Sequence, residues 1–350
     1  MKLTLTKVEN SPPLPESDLV FGRYFTPHMF QMRYYDGAWQ SAEIVPFQSL
    51  NLSPAAMVFH YGQAIFEGTK AFYCPDGKVR SFRLRDHLDR FNLSARRMCM
   101  PEIDTKFVLE VLKKLLDLDR DWIPRKQNTS LYIRPYMIAT EPSIHVLPSE
   151  EYLFLTILSP VGDFYARGNE ALRVYAEDRF IRATPGGTGN VKAAGNYATS
   201  FLAAKSAMKL GCKQVLWLDA QYHRYIEEVG AMNIFFTIGD KIITPSLTGS
   251  ILPGITRESL ITIIRSLEIP LEIRPIMIEE LLAGIKTGLV KEIFATGTAA
   301  GITKISSVFY KGSWYELKED SWQNVKNLRE ILSKTQFGLV KEYLHWVEEI

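Results

Sequence analysis

One lysine in this chain stands in a run of residues that are almost all small or turn-forming: Gly186-Gly187-Thr188-Gly189-Asn190-Val191-Lys192-Ala193-Ala194-Gly195-Asn196-Tyr197. Lysine ordinarily sits on a solvated face among other long polar side chains. Here glycine and alanine allow both backbone and ligand to approach the amine closely. A lysine that forms a Schiff base needs that access, and a setting that favours the free amine. Tyr197, five residues on, brings a phenol to the same neighbourhood.

Two phosphate-loop readings of the glycine cluster fail. Gly-x-x-x-x-Gly-Lys-[Ser/Thr] requires a glycine before the lysine and a hydroxyl after it, whereas Val191 precedes Lys192 and Ala193 follows. The dinucleotide pattern needs a clean strand-Gly-x-Gly-x-x-Gly-helix unit, which is not present. Metal chemistry is not indicated either, because none of the six histidines pairs with another at helical i,i+4 spacing. Cys74, Cys99 and Cys212 are few, odd in number and far apart. That usage suggests reduced thiols and a cytoplasmic address rather than a disulfide frame. The N-terminus lacks the apolar core and cleavage site of a signal peptide, and no apolar run approaches a membrane span. A formal charge of +2 leaves no footprint for nucleic acid or an anionic membrane.

At 350 residues the chain exceeds a usual single core, so two domains are expected. Residues 1–20 read as an extended arm. Asp36-Gly37 and Pro75-Asp76-Gly77 each turn a hairpin. Asp86 reads as the cap of a helix carrying Leu88, Phe91, Ala95 and Met98, and a second helix follows with Phe107, Val108, Val111, Leu112 and Leu115. Residues 131–138 and 152–158 read as buried strands, interrupted by Ser159-Pro160-Val161-Gly162-Asp163. The second half alternates: strands at 172–176, 215–218, 231–238 and 292–296, helices at 198–210, 256–267 and 278–285, and amphipathic helix at the C-terminus. The class is mixed α and β. The expected domains are 1–163 and 177–350, joined at 164–176.

A pyridoxal 5′-phosphate site needs a lysine for the aldehyde, an acid at the pyridine nitrogen, phosphate contacts from arginine and helix starts, and a phenol at the ring oxygen. The chain offers all four. Glu227-Glu228-Val229-Gly230 precedes an apolar strand. Arg90 lies in the first of the helices. Leu252-Pro253-Gly254-Ile255-Thr256 turns into a helix whose first N–H groups lack intrahelical partners. Thr296-Gly297-Thr298-Ala299-Ala300 is a second small-residue loop after a strand. Each segment alone has an ordinary structural explanation.

Their order along the chain resembles the branched-chain amino-acid aminotransferases, pyridoxal-phosphate enzymes of fold type IV in the class-IV aminotransferase family. His60-Tyr61-Gly62-Gln63-Ala64-Ile65-Phe66-Glu67-Gly68, Tyr132-Ile133-Arg134-Pro135 and Glu141-Pro142-Ser143-Ile144 extend the likeness over nearly the whole chain. The first of these resembles the family's first substrate-pocket strand.

The resemblance implies a small α/β N-terminal domain and a larger pseudo-barrel C-terminal domain that binds the cofactor. It makes Lys192 the catalytic Schiff-base lysine and places Tyr197 near the ring oxygen. Glu228 rather than Glu227 falls at the pyridine nitrogen. Arg90, Ile255, Thr256 and Thr298 fall at the phosphate. Phe21, Tyr61, Phe66 and Tyr132 become pocket walls, and the Ala299 N–H would receive the substrate carboxylate. Ile144 and Val146 resemble a loop closing the neighbouring subunit's pocket, which implies a homodimer. The implied reaction is reversible amino transfer between leucine, isoleucine or valine and 2-oxoglutarate, with ping-pong kinetics. Two positions depart from the pattern. Ala231 stands where some members have threonine, and Ala300 stands where some begin a Cys-x-x-Cys pair. A D-amino-acid aminotransferase or an aminodeoxychorismate lyase shares the cofactor chemistry; a regulator that keeps the site without turnover is the non-enzymatic alternative.

Overall fold

The computed structural model describes residues 2–16, 18–126, 128–162, 171–318 and 322–350. Of the expected 164–176 connection, residues 164–170 lie outside this set, and the remainder enters a strand. The chain divides into two compact units. One comprises Met1–Arg167, Lys192–Gly195 and Lys334–Ile350; the other comprises Gly168–Val191 and Asn196–Ser333.

The first unit is built on strands β1 (Leu3–Leu5), β2 (His28–Tyr35), β3 (Ala38–Pro46), β4 (Ala64–Phe66), β5 (Thr69–Tyr73), β6 (Val79–Phe82), β7 (Ser130–Ala139) and β8 (Tyr152–Val161). The sheet order is β1-β3-β2-β8-β7-β5-β6, with β4 on β7 and the C-terminal strand Val347–Glu349 on β6. Both expected hairpins form. Asp36 and Gly37 have φ of 51° and 71°, which matches the strand twist across a two-residue turn.

Helices α1 (Met57–Tyr61), α2 (Leu84–Arg97) and α3 (Thr105–Leu118) complete this unit. In α2, Leu84, Leu88, Phe91 and Ala95 recur at helical spacing and are fully buried. They join Val108, Leu112 and Leu115 of α3 in the core of this unit. Asp104 caps α3 by accepting from the N–H groups of Lys106 and Phe107.

The second unit holds β9 (Leu172–Glu177), β10 (Gln214–Leu218), β11 (Ile226–Val229), β12 (Asn233–Ile238), β13 (Lys241–Thr244), β14 (Leu271–Ile273), β15 (Val290–Gly297), β16 (Gly301–Tyr310) and β17 (Ser313–Glu316). Their order is β11-β10-β9-β16-β15-β12-β13-β14, with β17 on β16. A tight turn bonds Val229 to Met232 in both directions, which brings β11 back beside β12 and curls the sheet into a pseudo-barrel. Helices α4 (Gly195–Ala198), α5 (Phe201–Lys209), α6 (Ile255–Ser266), α7 (Ile278–Thr287) and α8 (Gln323–Gln336) accompany this half of the chain. The Glu292 carboxylate accepts from the N–H groups of Asn324 and Val325 at the start of α8.

Several local expectations are corrected. Helix α2 begins at Leu84, two residues before Asp86, after an N-cap Arg83 with φ of 52°, and Asp86 ion-pairs with Arg83 instead of capping. Tyr61 lies in the short helix α1, not in a strand. Strand β8 runs through Ser159 and Pro160, which pair with Tyr132 and Leu131. The helix expected at 198–210 forms as α5 from Phe201, with the separate short α4 ending at Ala198. Glu227 and Glu228 occupy a strand of their own, β11. The chain ends in a strand rather than a helix.

Candidate active site

In the first unit the main chain of Lys192–Gly195 is tied to both sheet and helix. Phe66 N donates to Lys192 O at 3.1 Å and Ala194 N to Ala64 O at 3.0 Å. Lys192 N donates to Ser94 Oγ on α2 at 3.1 Å. The lysine is thus fixed by its backbone, and its amine lies 5.0 Å from the centre of the Phe66 ring.

Register determines what shares that face. Phe66 pairs with Tyr136, Thr69 with Ile133 and Lys70 with Tyr132. Residues 66, 68 and 70 therefore share one side with 132, 134 and 136. Arg134 lies 4.8 Å from the Phe66 ring centre and 5.2 Å from that of Tyr132. Its Nη2 donates to Tyr132 Oη at 3.3 Å, while its buried Nε has no hydrogen-bond partner. Burial lowers the Lys70 amine to about 8. Phe21 packs edge-on against Tyr132 at 4.8 Å. Gly68 is required here, because a Cβ would collide with Tyr132 Oη. Tyr61 Oη donates to Ile144 O at 2.5 Å. The Ile144 and Val146 side chains themselves face solvent, at 67% and 84% exposure.

On the opposite side of the 66–70 stretch, Glu67 is fully buried. Arg90 Nε and Nη2 donate to it at 2.6 and 3.1 Å, Gly68 N at 2.9 Å, and His87 Nδ1 lies 2.8 Å away. Burial alone would raise this carboxyl, but Arg90, His87 and Lys192 outweigh it and hold it well below the usual carboxylate range. Burial also pushes His87 down, against the pull of Glu67. A carboxylate with a lowered pKa contributes stability above its unfolded value and loses it as pH falls through the folded one. Glu67→Gln should cost about 3–5 kcal/mol, since it removes the charged half of a buried ion pair to which Arg90 Nε and Nη2 donate. Urea unfolding at neutral pH checks this; a loss under about 1 kcal/mol would contradict it.

The second unit carries Glu228, 2% exposed. Its Oε2 lies 2.7 Å from Arg182 Nε. Its Oε1 accepts from Asn233 Nδ2 at 2.9 Å and from Leu252 N at 3.3 Å. Arg182 Nη2 also donates to Gly189 O at 3.1 Å and closely to Ser250 O. The glycine cluster serves this junction, because a Cβ on Gly189 would collide with Ser250 O. Glu227 differs from its neighbour. Burial pushes its carboxyl up despite the Ser250 hydroxyl and the Arg182 charge, and Oε2 has no hydrogen-bond partner.

Asn196 pins the approach to Lys192: its Nδ2 donates to Thr188 O at 2.7 Å and Val191 O at 2.9 Å. Tyr197 follows on α4, half-buried. Ile255 and Thr256 open α6 after Gly254, and no side chain caps that helix. A Cβ on Gly254 would collide with Asn233 Oδ1. Thr298 and Ala299 lie half-buried in the turn between β15 and β16. Thr296 pairs directly with Asn233, and its buried hydroxyl has no partner.

The first unit therefore assembles Lys192, Phe66, Tyr132 and Phe21, and separately Tyr61 with the Ile144–Val146 loop. The Arg90–Glu67 pair lies on the other side of the same strand stretch. The second unit holds Glu228, Tyr197, Ile255, Thr256, Thr298 and Ala299. Sequence reasoning missed Arg182 and Asn233 beside Glu228, Glu67 and His87 beside Arg90, and Arg134 on the aromatic wall. The Arg134-Pro135 pair within a buried strand was the one available signal, since an arginine in such a strand needs a reason.

Comparison with known proteins gives a consistent result. The family profile described as "Amino-transferase class IV" matches residues 64–308. "Branched-chain-amino-acid aminotransferase 2" of Bacillus subtilis (strain 168) is 44% identical over 352 residues, covering 100% of this chain and 97% of the relative. "Branched-chain-amino-acid transaminase 1" of the same organism is 45% identical over 337 residues, covering 95% of each. Among solved structures, the branched-chain aminotransferase of the thermophilic archaeon Thermoproteus uzoniensis with norvaline aligns at TM-score 0.75 and 26% identity, over 92% of this chain and 99% of that one.

Proposed function

The chain belongs to the amino-transferase class IV family, of fold type IV, and on that premise we propose that it transfers the amino group of leucine, isoleucine or valine to 2-oxoglutarate. The observation that carries this reading is the wall beside Lys192: Phe66 and Tyr132 with the Arg134 guanidinium against both rings. An aliphatic side chain packs on the rings. A distal carboxylate meets the guanidinium, whose Nε is otherwise without a partner.

Pyridoxal 5′-phosphate fits the residues present. Glu228 is a buried carboxylate already paired with a guanidinium, which favours the charged form that a pyridinium needs. Helix α6 offers an N-terminus without a side-chain cap, which suits a phosphate. The partnerless Thr296 hydroxyl shares a face with Asn233. When bound, this cofactor supplies an aldehyde for amines and an electron sink for the negative charge developing at the substrate α-carbon.

The chain's own residues do the rest. Lys192 would hold the cofactor through its amine and, once released, would act as the base that takes the substrate α-proton. Glu228 would keep the ring nitrogen protonated and so would stabilise charge developing at the substrate α-carbon. Arg90, Thr256, Thr298 and the N–H of Ile255 hold phosphate; Tyr197 contacts the ring oxygen; the Ala299 N–H receives the substrate carboxylate. Phe21, Tyr61, Phe66 and Tyr132 wall the pocket. The exposed Ile144 and Val146 close the pocket of a second copy in a homodimer.

A half-reaction tests the reading. Cofactor-loaded protein is mixed with L-leucine or, separately, D-alanine, with no acceptor present. Loss of the cofactor's visible band with L-leucine alone, and its return on 2-oxoglutarate, supports the proposal. Loss with D-alanine alone would replace it. Arg134→Leu tests the wall: KM for 2-oxoglutarate should rise about 10–100-fold, the worth of a hydrogen-bonded charge contact. The leucine half-reaction should change less than about threefold. Equal losses in both halves would remove Arg134 from this role.

A further inference from the structure

We infer that Arg182 is a positioning residue that keeps Glu228 ionised and aimed, and so governs how tightly the cofactor's ring nitrogen is held. The inference rests on the reading of Glu228 as the acid at that nitrogen. Its geometry lies wholly within the second unit. The Arg182 side chain is 9% exposed and that of Glu228 is 3% exposed, and they approach to 2.7 Å. The same guanidinium bonds the carbonyls of Gly189 and Ser250. It is therefore held by two loops independently of the carboxylate it serves. Asn233 Nδ2 and Leu252 N hold the other oxygen, and Asn233 Nδ2 also donates to Leu252 O at 2.9 Å.

A carboxylate this deeply buried takes up a proton unless a positive charge opposes it. A neutral acid can hold the pyridine nitrogen only in its uncharged form, which accepts electrons poorly. Glu227 shows the alternative one residue away. It receives a hydroxyl where Glu228 receives a guanidinium, and burial wins there. Arg257 also feels Glu228 but bonds Pro245 O, and Asp219 bears on Glu227. Arg182 is a charged group in direct contact with Glu228.

The test uses apoprotein and two ligands: pyridoxal 5′-phosphate and its analogue with CH in place of the ring nitrogen. Wild type should prefer the true cofactor. In Arg182→Gln, affinity for the cofactor should fall about 10–100-fold, the scale on which losing an outer partner of a ligating group weakens a bound metal. Affinity for the analogue should stay within about threefold. Equal losses for both ligands would mean that Arg182 only braces the loops, and would overturn the inference; so would no loss for either. If Arg182→Gln does not fold, Arg182→Lys decides, since it keeps the charge and should keep most of the preference; complete loss there overturns the charge argument. A wild type that binds both ligands alike removes the Glu228 reading, and this inference with it.

Discussion

Lys192→Ala is expected to lower turnover by about 10⁴-fold or more while the protein stays folded, because one amine acts as both nucleophile and proton carrier. The structure explains why fold and function separate at this position. Lys192 is anchored through its backbone, by Ser94 Oγ and Phe66 N, and Ala193 bridges to Ile65. None of these contacts involves the side chain. Truncation removes an amine 5.0 Å from an aromatic ring and a charge that acts on Glu67 after Arg90 and His87, while the backbone anchors remain. The unfolding midpoint should move little. An added small alkylamine should restore part of the proton transfer, since it can occupy the vacated space. A variant with wild-type kcat would show that the lysine has no chemical role. One that fails to fold would show that the backbone argument is wrong.

What was legible in the sequence was the chemistry that acts locally. Asp36-Gly37 forces its hairpin through two positive φ angles, so two residues determine the turn. The glycine–lysine run could be read as an access route because its composition is itself the signal. Where local signals competed, reading failed. The helix expected at 198–210 starts late: Ser200 N bonds Tyr197 O in a tighter i→i+3 turn, and the Thr199 and Ser200 hydroxyls back-bond to Asn196 O and Tyr197 O. Asp86 looked like a cap, but Arg83 in the left-handed region starts the helix earlier and claims the carboxylate. Helix α1 is too short to show a period, so Tyr61 passed for a strand residue.

Tertiary pairing was invisible for a different reason. The C-terminal strand pairs with β6, a partner from the other end of the unit, and nothing in its own residues announces that. The same applies to Arg182, Glu67 and His87. Each matters through one buried partner far along the chain, and an arginine or histidine in isolation reads as surface. The sequence pattern therefore marked the residues proposed to meet cofactor and substrate. The residues that hold them in place emerged only with the fold.

That distinction sharpens the second large effect, at the two adjacent acids of β11. Glu228→Ala should lower kcat by about 10³-fold or more and weaken cofactor retention, since it removes a preorganised charge in a water-poor site. It also leaves the Arg182 guanidinium without its carboxylate, so stability should fall as well. Glu228→Gln preserves shape and an acceptor for Asn233 but not the charge; its rate should stay near that of the alanine variant. Glu227→Gln should stay within about tenfold of wild type. Burial already raises that carboxyl, and its hydrogen bond is to the Ser250 hydroxyl, so an uncharged amide replaces it at low cost. Single-turnover rates with L-leucine, measured on protein saturated with cofactor, separate chemistry from retention. If Glu227→Gln loses the larger factor, the pyridine acid has been assigned one residue too late on the strand. The alternation of side chains along β11 would then require the cofactor ring to lie on the opposite face of that strand.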